Sequence, residues 1–367
     1  MGKAISNFFS SFSERNLAVR QVSDYVEFSQ HEKFFHLAAL KSERAARLKN
    51  HFASCGVRKI YLSSNISGFD FELPGRNVSV LEKGFFHETD PGEIAKKCTH
   101  LEDSVVILNN NDVGHNGGLP LFADFFSRCD KTIFAVWDWD NHHWMDVSIF
   151  LAVHSDLYIP VQHENLYVLS RFNWRTAGPI YAGSVQWSKK FLKDHLPDIF
   201  ETKRSDAPLG KHIPYAPFRF RNQVISTLSR YYPTIGFSDR TFHVRTPEDR
   251  FVEWCSHKAH WIVPVLNDIP IRIFDALITG GIPIVPESLR FLPPVDVISR
   301  RHIVFYTPQD VVNPTSVVER AITLFDEGGN ELMLERHNYA LGNHQGDVCI
   351  RQILGYVNEA FELGIMP

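Results

Sequence analysis

Asn267, Asp268, Arg272 and Asp275 stand close together in the segment from Leu266 to Pro286, and their types suit a phosphorylated ligand. A guanidinium offers paired N–H donors that match phosphate oxygens, and a carboxylate accepts hydrogen bonds from sugar hydroxyls. The segment carries helix punctuation. Asp268 can cap a first turn, Pro270 is tolerated where early N–H groups lack partners, and Gly280-Gly281 ends the helix before a buried strand at Ile282 to Val285. At about 100° per residue, Ile273, Phe274, Leu277 and Ile278 gather on one face while Arg272, Asp275 and Thr279 fall on another. Arg272 lies in the first turn, where the positive end of the helix dipole favours an anion. Read without context, the same pair is a surface ion pair worth under about 1 kcal/mol.

Further cations could reach the same anion. Arg219, Arg221 and Lys258 lie at ends of neighbouring helices, although Arg219 and Arg221 read equally well as surface charges ahead of an amphipathic helix.

The first half of the chain offers groups for acid–base work. Trp137-Asp138-Trp139-Asp140-Asn141-His142-His143-Trp144 follows an apolar strand. Its carboxylates and imidazoles can take a proton from a hydroxyl, and Trp139, His142 and His143 can hold an acceptor sugar. Asp138-Trp139-Asp140 is formally a D-x-D metal motif, but a three-residue match is common by chance and adjacent histidines do not easily share one centre, so no metal is expected. The alternative is a cap, with Asp140 or His142 orienting the next helix. A second loop, Asn109 to Gly118, carries Asp112 and His115 among glycines that permit close backbone approach to a ligand. It also reads as a polar turn. His115, Asp112, Asp138 and Asp140 are the candidate catalytic groups.

These residues need elements to hold them. Residues 1–55 read as an N-terminal helical layer. Strand patterns at Lys59 to Leu62, Val78 to Leu81, Val105 to Leu108, Ile133 to Val136 and Leu157 to Pro160 alternate with helical ones at Leu119 to Cys129 and Met145 to His154. Asp198 to Pro208 is charged and aperiodic and reads as a linker. A second alternation follows, and the chain after Val311 is helical. The expectation is an α/β protein with two Rossmann-like domains facing a cleft: a helical layer over 1–55, a Rossmann-like acceptor domain over 56–203, a Rossmann-like nucleotide-sugar domain over 204–350 and a C-terminal helix over 351–367.

The run Arg272-Ile273-Phe274-Asp275-Ala276-Leu277-Ile278-Thr279-Gly280-Gly281-Ile282-Pro283-Ile284-Val285 resembles the donor-binding signature of GT-B glycosyltransferases, in particular the exostosin-like form. The resemblance implies a nucleotide-sugar donor, UDP- or CMP-linked, with Asp275 at the ribose and Arg272 at the phosphates. Asn267, Asp268, Gly280, Gly281, Arg219, Arg221 and Lys258 would complete the donor site. It further implies transfer to a glycan or lipid-linked glycan acceptor in surface polysaccharide biosynthesis, without a metal or other cofactor. Retaining members often carry two Glu eight residues apart, whereas Asp268 and Asp275 are seven apart and shorter, so inversion and retention both stay open. A nucleotide-sugar epimerase and a non-catalytic nucleotide-sugar-binding protein are the alternatives.

Composition narrows the field. The 367 residues carry 38 basic and 42 acidic side chains, a net charge of −4, so no overall field draws in nucleic acid. Five separated cysteines argue against a disulfide framework and point to a reducing cytoplasm. Gly2 with Ser6, and Phe8, Phe9 and Phe12, would suit peripheral membrane contact or docking on the body of the protein.

Overall fold

In the computed structural model, residues 33–66, 71, 73, 76–140, 144–238 and 245–364 are described, the side chains of 33–38 excepted. His142, His143 and the Phe8, Phe9, Phe12 cluster lie outside them. The described chain is α/β and divides into two units, 183–346 and the remainder, which holds the chain before 183 and after 346.

The N-terminal unit opens with helix α1 (Lys33–Cys55). Strands β1 (Lys59–Leu62) and β2 (Asn77–Val80), helix α2 (Pro91–His100), strand β3 (Ser104–Asn109), helix α3 (Gly118–Arg128), strand β4 (Thr132–Asp138), helix α4 (Met145–Val153), strand β5 (Leu157–Pro160) and helix α5 (Glu164–Leu169) follow. All pairings are parallel, in the order β2-β1-β3-β4-β5. Every residue of β3, β4 and β5 is buried, as expected of parallel strands covered by helices on both faces. One cover is an aromatic cluster in which Phe86, Phe122, Phe125 and Phe134 meet with ring centroids between 5.4 and 6.2 Å apart. Arg44 fastens α1 to the sheet: Nε donates to Asp156 Oδ1 at 2.7 Å, and Nη2 donates to the carbonyls of Cys129 and Thr132.

The C-terminal unit begins with helices α6 (Lys189–Asp194) and α7 (Leu196–Glu201), so the start of the segment read as a linker is helical. Pro at the first turn and Ile199 buried on the inner side account for it. Strand β6 (Gly210–His212), helix α8 (Arg219–Leu228), strand β7 (Ile235–Phe237), helix α9 (Pro247–Cys255), strand β8 (Ala259–Trp261), helix α10 (Ile271–Ile278) and strands β9 (Ile282–Pro286) and β10 (Val304–Tyr306) follow. Helices α11 (Pro308–Val312) and α12 (Thr315–Asn343), the latter broken at Gly329, complete this unit, and α13 (Gly346–Phe361) returns to the first.

The strands form two parallel sheets, β10-β9-β8 and β6-β7. Leu209, leading into β6, joins them: it donates to the Ala259 carbonyl at 2.9 Å and accepts from Trp261 N–H at 2.7 Å. The resulting order, β7-β6-β8-β9-β10, repeats the order of the first unit. In such sheets connections depart in opposite directions from the second and third strands of the row, which leaves a crevice at their carboxyl ends. That switch lies between β1 and β3 in one unit and between β6 and β8 in the other.

Cysteine pairing departs from expectation. Cys98 on α2 and Cys129 after α3 form a disulfide. Their separation of 31 residues leaves no trace in local spacing, and only the packing of α2 against α3 brings them together.

Candidate functional site

In the C-terminal unit the carboxyl ends of β8, β9 and β10 and the start of α8 enclose a cavity of ≈ 300 Å³. Phe218, Phe220, Val263, Leu266, Pro286 and Tyr306 supply apolar walls, and Arg221, Asn267, Glu287, Ser288 and Thr307 supply polar groups. Mostly apolar lining with a few fixed polar groups, at a sheet switch, is the usual character of a small-molecule site. Leu266 and Asn267, both on its wall, have φ of 50° and 66°. Asparagine tolerates this region, whereas leucine there costs on the order of 1 to 3 kcal/mol. The turn thus holds strain where it meets the cavity.

Arg221 is 7% exposed. Its Nε donates to the Val263 carbonyl at 3.2 Å and Nη1 to the Ile213 carbonyl at 2.9 Å, which fixes the guanidinium at the switch. Arg272, on the first turn of α10, donates to His212 Nδ1 at the end of β6. His212 is itself buried, and its Nε2–H donates to the Trp261 carbonyl at 3.2 Å. Burial, and then the neighbouring Arg272 and Arg221, hold the His212 pKa well below its usual value. It is therefore a neutral acceptor for Arg272. Burial, and next the Arg221 charge, lower the Arg272 pKa to about 10, which leaves it cationic at neutral pH.

Asp275 lies 0% exposed on α10. Gln186 Nε2 donates to its Oδ2. Burial raises its pKa to about 7, against the opposing pull of Gln186, Ser184 and Arg272. Thr279 is also fully buried and returns its hydroxyl to the Asp275 and Ala276 carbonyls. Asp275 and Thr279 therefore pack into their own unit, with Asp275 enclosed by Gln186 and closed to a ribose, while Arg272 on the same side is half-buried.

Asp268 departs from its expected role as a cap. Pro270 holds the N-cap position, and Asp268 Oδ1 instead accepts from Val265 N–H at 2.6 Å, bracing the turn through Leu266 and Asn267. Asn267 accepts from the Ser288 hydroxyl. Gly280 and Gly281 lie at the other end of α10, where they serve packing. Gly280 adopts φ 76° and its carbonyl accepts from Arg336 Nε, and a Cβ on Gly281 would come within 2.4 Å of the His260 ring. Lys258 stands at the amino end of β8 and is bound to Asp206 and Asp326 at 2.7 and 2.8 Å, away from the cavity. Arg219 is exposed on the first residue of α8. Of the expected donor residues, Arg221 and Asn267 line the cavity and Arg272 and Asp268 brace the turn and switch beside it.

In the N-terminal unit the β3 and β4 loops are tied together by side chains. Asp112 accepts from Ser63 Oγ at 2.6 Å, from Ser64 Oγ, and from Asn65 N–H, clasping the loop after β1 to the loop after β3. Asp138 is fully buried, accepting from Ser148 Oγ at 2.6 Å, from the Tyr158 hydroxyl and from Asp140 N–H. Burial raises its pKa to about 6. Asn110 and Asn111 donate to Asp140 Oδ2 at 3.1 and 2.8 Å, and Asn110 Oδ1 accepts from Trp139 N–H at 2.8 Å. Trp139 packs edge-on against Trp137. His115 alone of the four catalytic candidates is exposed, with its ring edge-on to Trp144 at 4.6 Å.

Sequence reasoning missed His212, Gln186 and the walls Phe218 and Tyr306. The signal for His212 and Tyr306 was their place at the carboxyl ends of strands; Gln186 carried none. Among the described residues no helix is long and apolar enough to cross a membrane. No family model matches the chain, and no curated relative matches it.

Proposed function

We propose that the protein is a glycosyltransferase of the GT-B type, taking a nucleotide-sugar donor in the 183–346 unit and transferring its sugar to a glycan or glycolipid acceptor held by the N-terminal unit. The observation that carries the reading is the ≈ 300 Å³ cavity at the β6/β8 switch, walled by Phe218, Phe220 and Tyr306, with Arg221 on its wall and Arg272 beside Arg221. Apolar and aromatic walls suit a nucleobase, and two cations that stay charged at neutral pH suit a diphosphate. Burial raises the Asp275 pKa to about 7, which lessens the negative charge set beside Arg272.

The chemistry follows from where charge develops. As the glycosidic bond to the nucleotide breaks, negative charge grows on the leaving phosphate, and fixed guanidinium groups stabilise that state more than the bound donor. The acceptor hydroxyl must lose a proton. Asp112 and Asp138 already accept several hydrogen bonds each, so exposed His115 is the best-placed general base. Metal is not required by this route.

Incubating the full chain with UDP- and CMP-sugars, with and without glycan or lipid-linked glycan acceptors, tests the assignment. Free nucleotide with a glycosylated product is expected. Epimerised donor in the absence of transfer would replace the reading with the epimerase, and binding without turnover would replace it with a non-catalytic carrier.

A further inference from the structure

At the amino edge of the first sheet, far along β3 from the loop that carries His115, three side chains converge on one point. His51 and Cys55 lie one turn apart on α1, and Asp103 directly precedes β3. His51 Nε2 is 2.8 Å from Asp103 Oδ1, and Cys55 Sγ is 3.5 Å from each of those atoms. We propose that His51 Nε2, Cys55 Sγ and Asp103 Oδ1 bind a zinc-class divalent cation, with water completing a tetrahedral shell.

The distances carry the argument. Zinc bonds of about 2.0 to 2.3 Å at tetrahedral angles put nitrogen and sulfur, or oxygen and sulfur, about 3.5 Å apart, and nitrogen and oxygen about 3.3 Å apart. The two edges to sulfur are already in place, and the third opens by about half an ångström. A proton relay would use the two ring nitrogens of His51 in turn. Here both neighbours face the same nitrogen, which is the geometry of ligands around a shared centre.

The backbone holds the ligands before any ion arrives. Asp103, at φ 59°, donates from its N–H to the Lys131 carbonyl at 3.2 Å and accepts from Arg58 N–H at 2.9 Å. Gly56, at φ 68°, closes the end of α1 with a bond to the Phe52 carbonyl. Arg58 Nε lies 3.5 Å from Oδ2. It leaves Oδ1 for the cation and orients the carboxylate, as outer-shell partners do. Side-chain exposures of 25% for His51 and 21% for Asp103 give an ion a way in. On binding, the Cys55 thiol loses its proton to solvent as the sulfur–metal bond forms, and no electron is transferred.

Co²⁺ titration of the full chain in a non-chelating reductant, followed by Zn²⁺ competition against a chromophoric chelator, tests this. One equivalent of Co²⁺ with a thiolate-to-cobalt charge-transfer band is expected. Cys55→Ser should abolish the band, and His51→Ala and Asp103→Asn should each weaken binding at least about tenfold. Asp103→Asn keeps a residue that tolerates the left-handed backbone, and metal-free melting temperatures of all three variants establish that they fold. No charge-transfer band in the wild type, or a band that survives Cys55→Ser, overturns the assignment.

Discussion

Arg272 on α10 and His212 at the end of β6 form a donor–acceptor pair in which the imidazole is the acceptor. The Trp261 carbonyl takes the Nε2 proton, so Nδ1 keeps its lone pair for the guanidinium. His212→Ala strands both partners in a buried setting. A loss of about 1 to 3 kcal/mol is expected, read from urea unfolding of the full chain. Donor binding should weaken with it, because Arg272 loses the contact that aims it.

Two buried carboxylates set the pH response. Burial lifts Asp138 from 3.8 to about 6 and Asp275 to about 7. The folded chain therefore binds more protons than the unfolded one between about pH 4 and about pH 7, so these groups make stability fall as pH rises through that window. Asp138 accounts for about 3 kcal/mol of the fall. Asp138→Asn is expected to flatten the urea-midpoint profile between about pH 4 and about pH 6; an unchanged slope contradicts the raised pKa of Asp138.

Asp112 and His115 share one loop and should separate on substitution. Asp112 anchors Ser63, Ser64 and the Asn65 amide, so Asp112→Ala should cost about 1 to 3 kcal/mol of stability. His115→Ala, at an exposed site, should change stability by less than about 0.5 kcal/mol. It should slow transfer by about 10²- to 10⁴-fold, measured as nucleotide release from a nucleotide-sugar that the protein binds. Transfer unaffected by His115→Ala removes it as the base.

Arg44 and Asp156 form a pair with side chains only 9% and 4% exposed. Arg44→Ala leaves the Asp156 charge buried with its guanidinium partner gone, and a loss of about 3 to 5 kcal/mol is expected. Calorimetry of the full chain checks it.

Strand and helix types were largely legible, because buried parallel strands such as Val105 to Leu108 and amphipathic helices such as Ile271 to Thr279 announce their periods locally. The turn before α10 departs from its sequence pattern in one respect. Asp268 has the residue type of a cap, but Leu266 and Asn267 take left-handed φ values and swing it back onto Val265. The burial of Asp275 was also hidden, since it depends on Gln186, distant in sequence and without a motif. The Cys98–Cys129 pair and the His51, Cys55, Asp103 cluster arise from contacts between elements, which no single window contains.

Anion binding at the β6/β8 switch underlies the donor site, and a thermal-shift series with UDP-, GDP-, CMP- and dTDP-sugars measures it, each variant being compared with its own ligand-free melting temperature. One nucleotide class should stabilise the wild type, by about 2.7 kcal/mol at a hundredfold excess over the dissociation constant, and Arg272→Ala and Arg221→Ala should lose most of that gain. If no class stabilises the wild type, or both variants gain as much as it does, the donor site assigned here is contradicted.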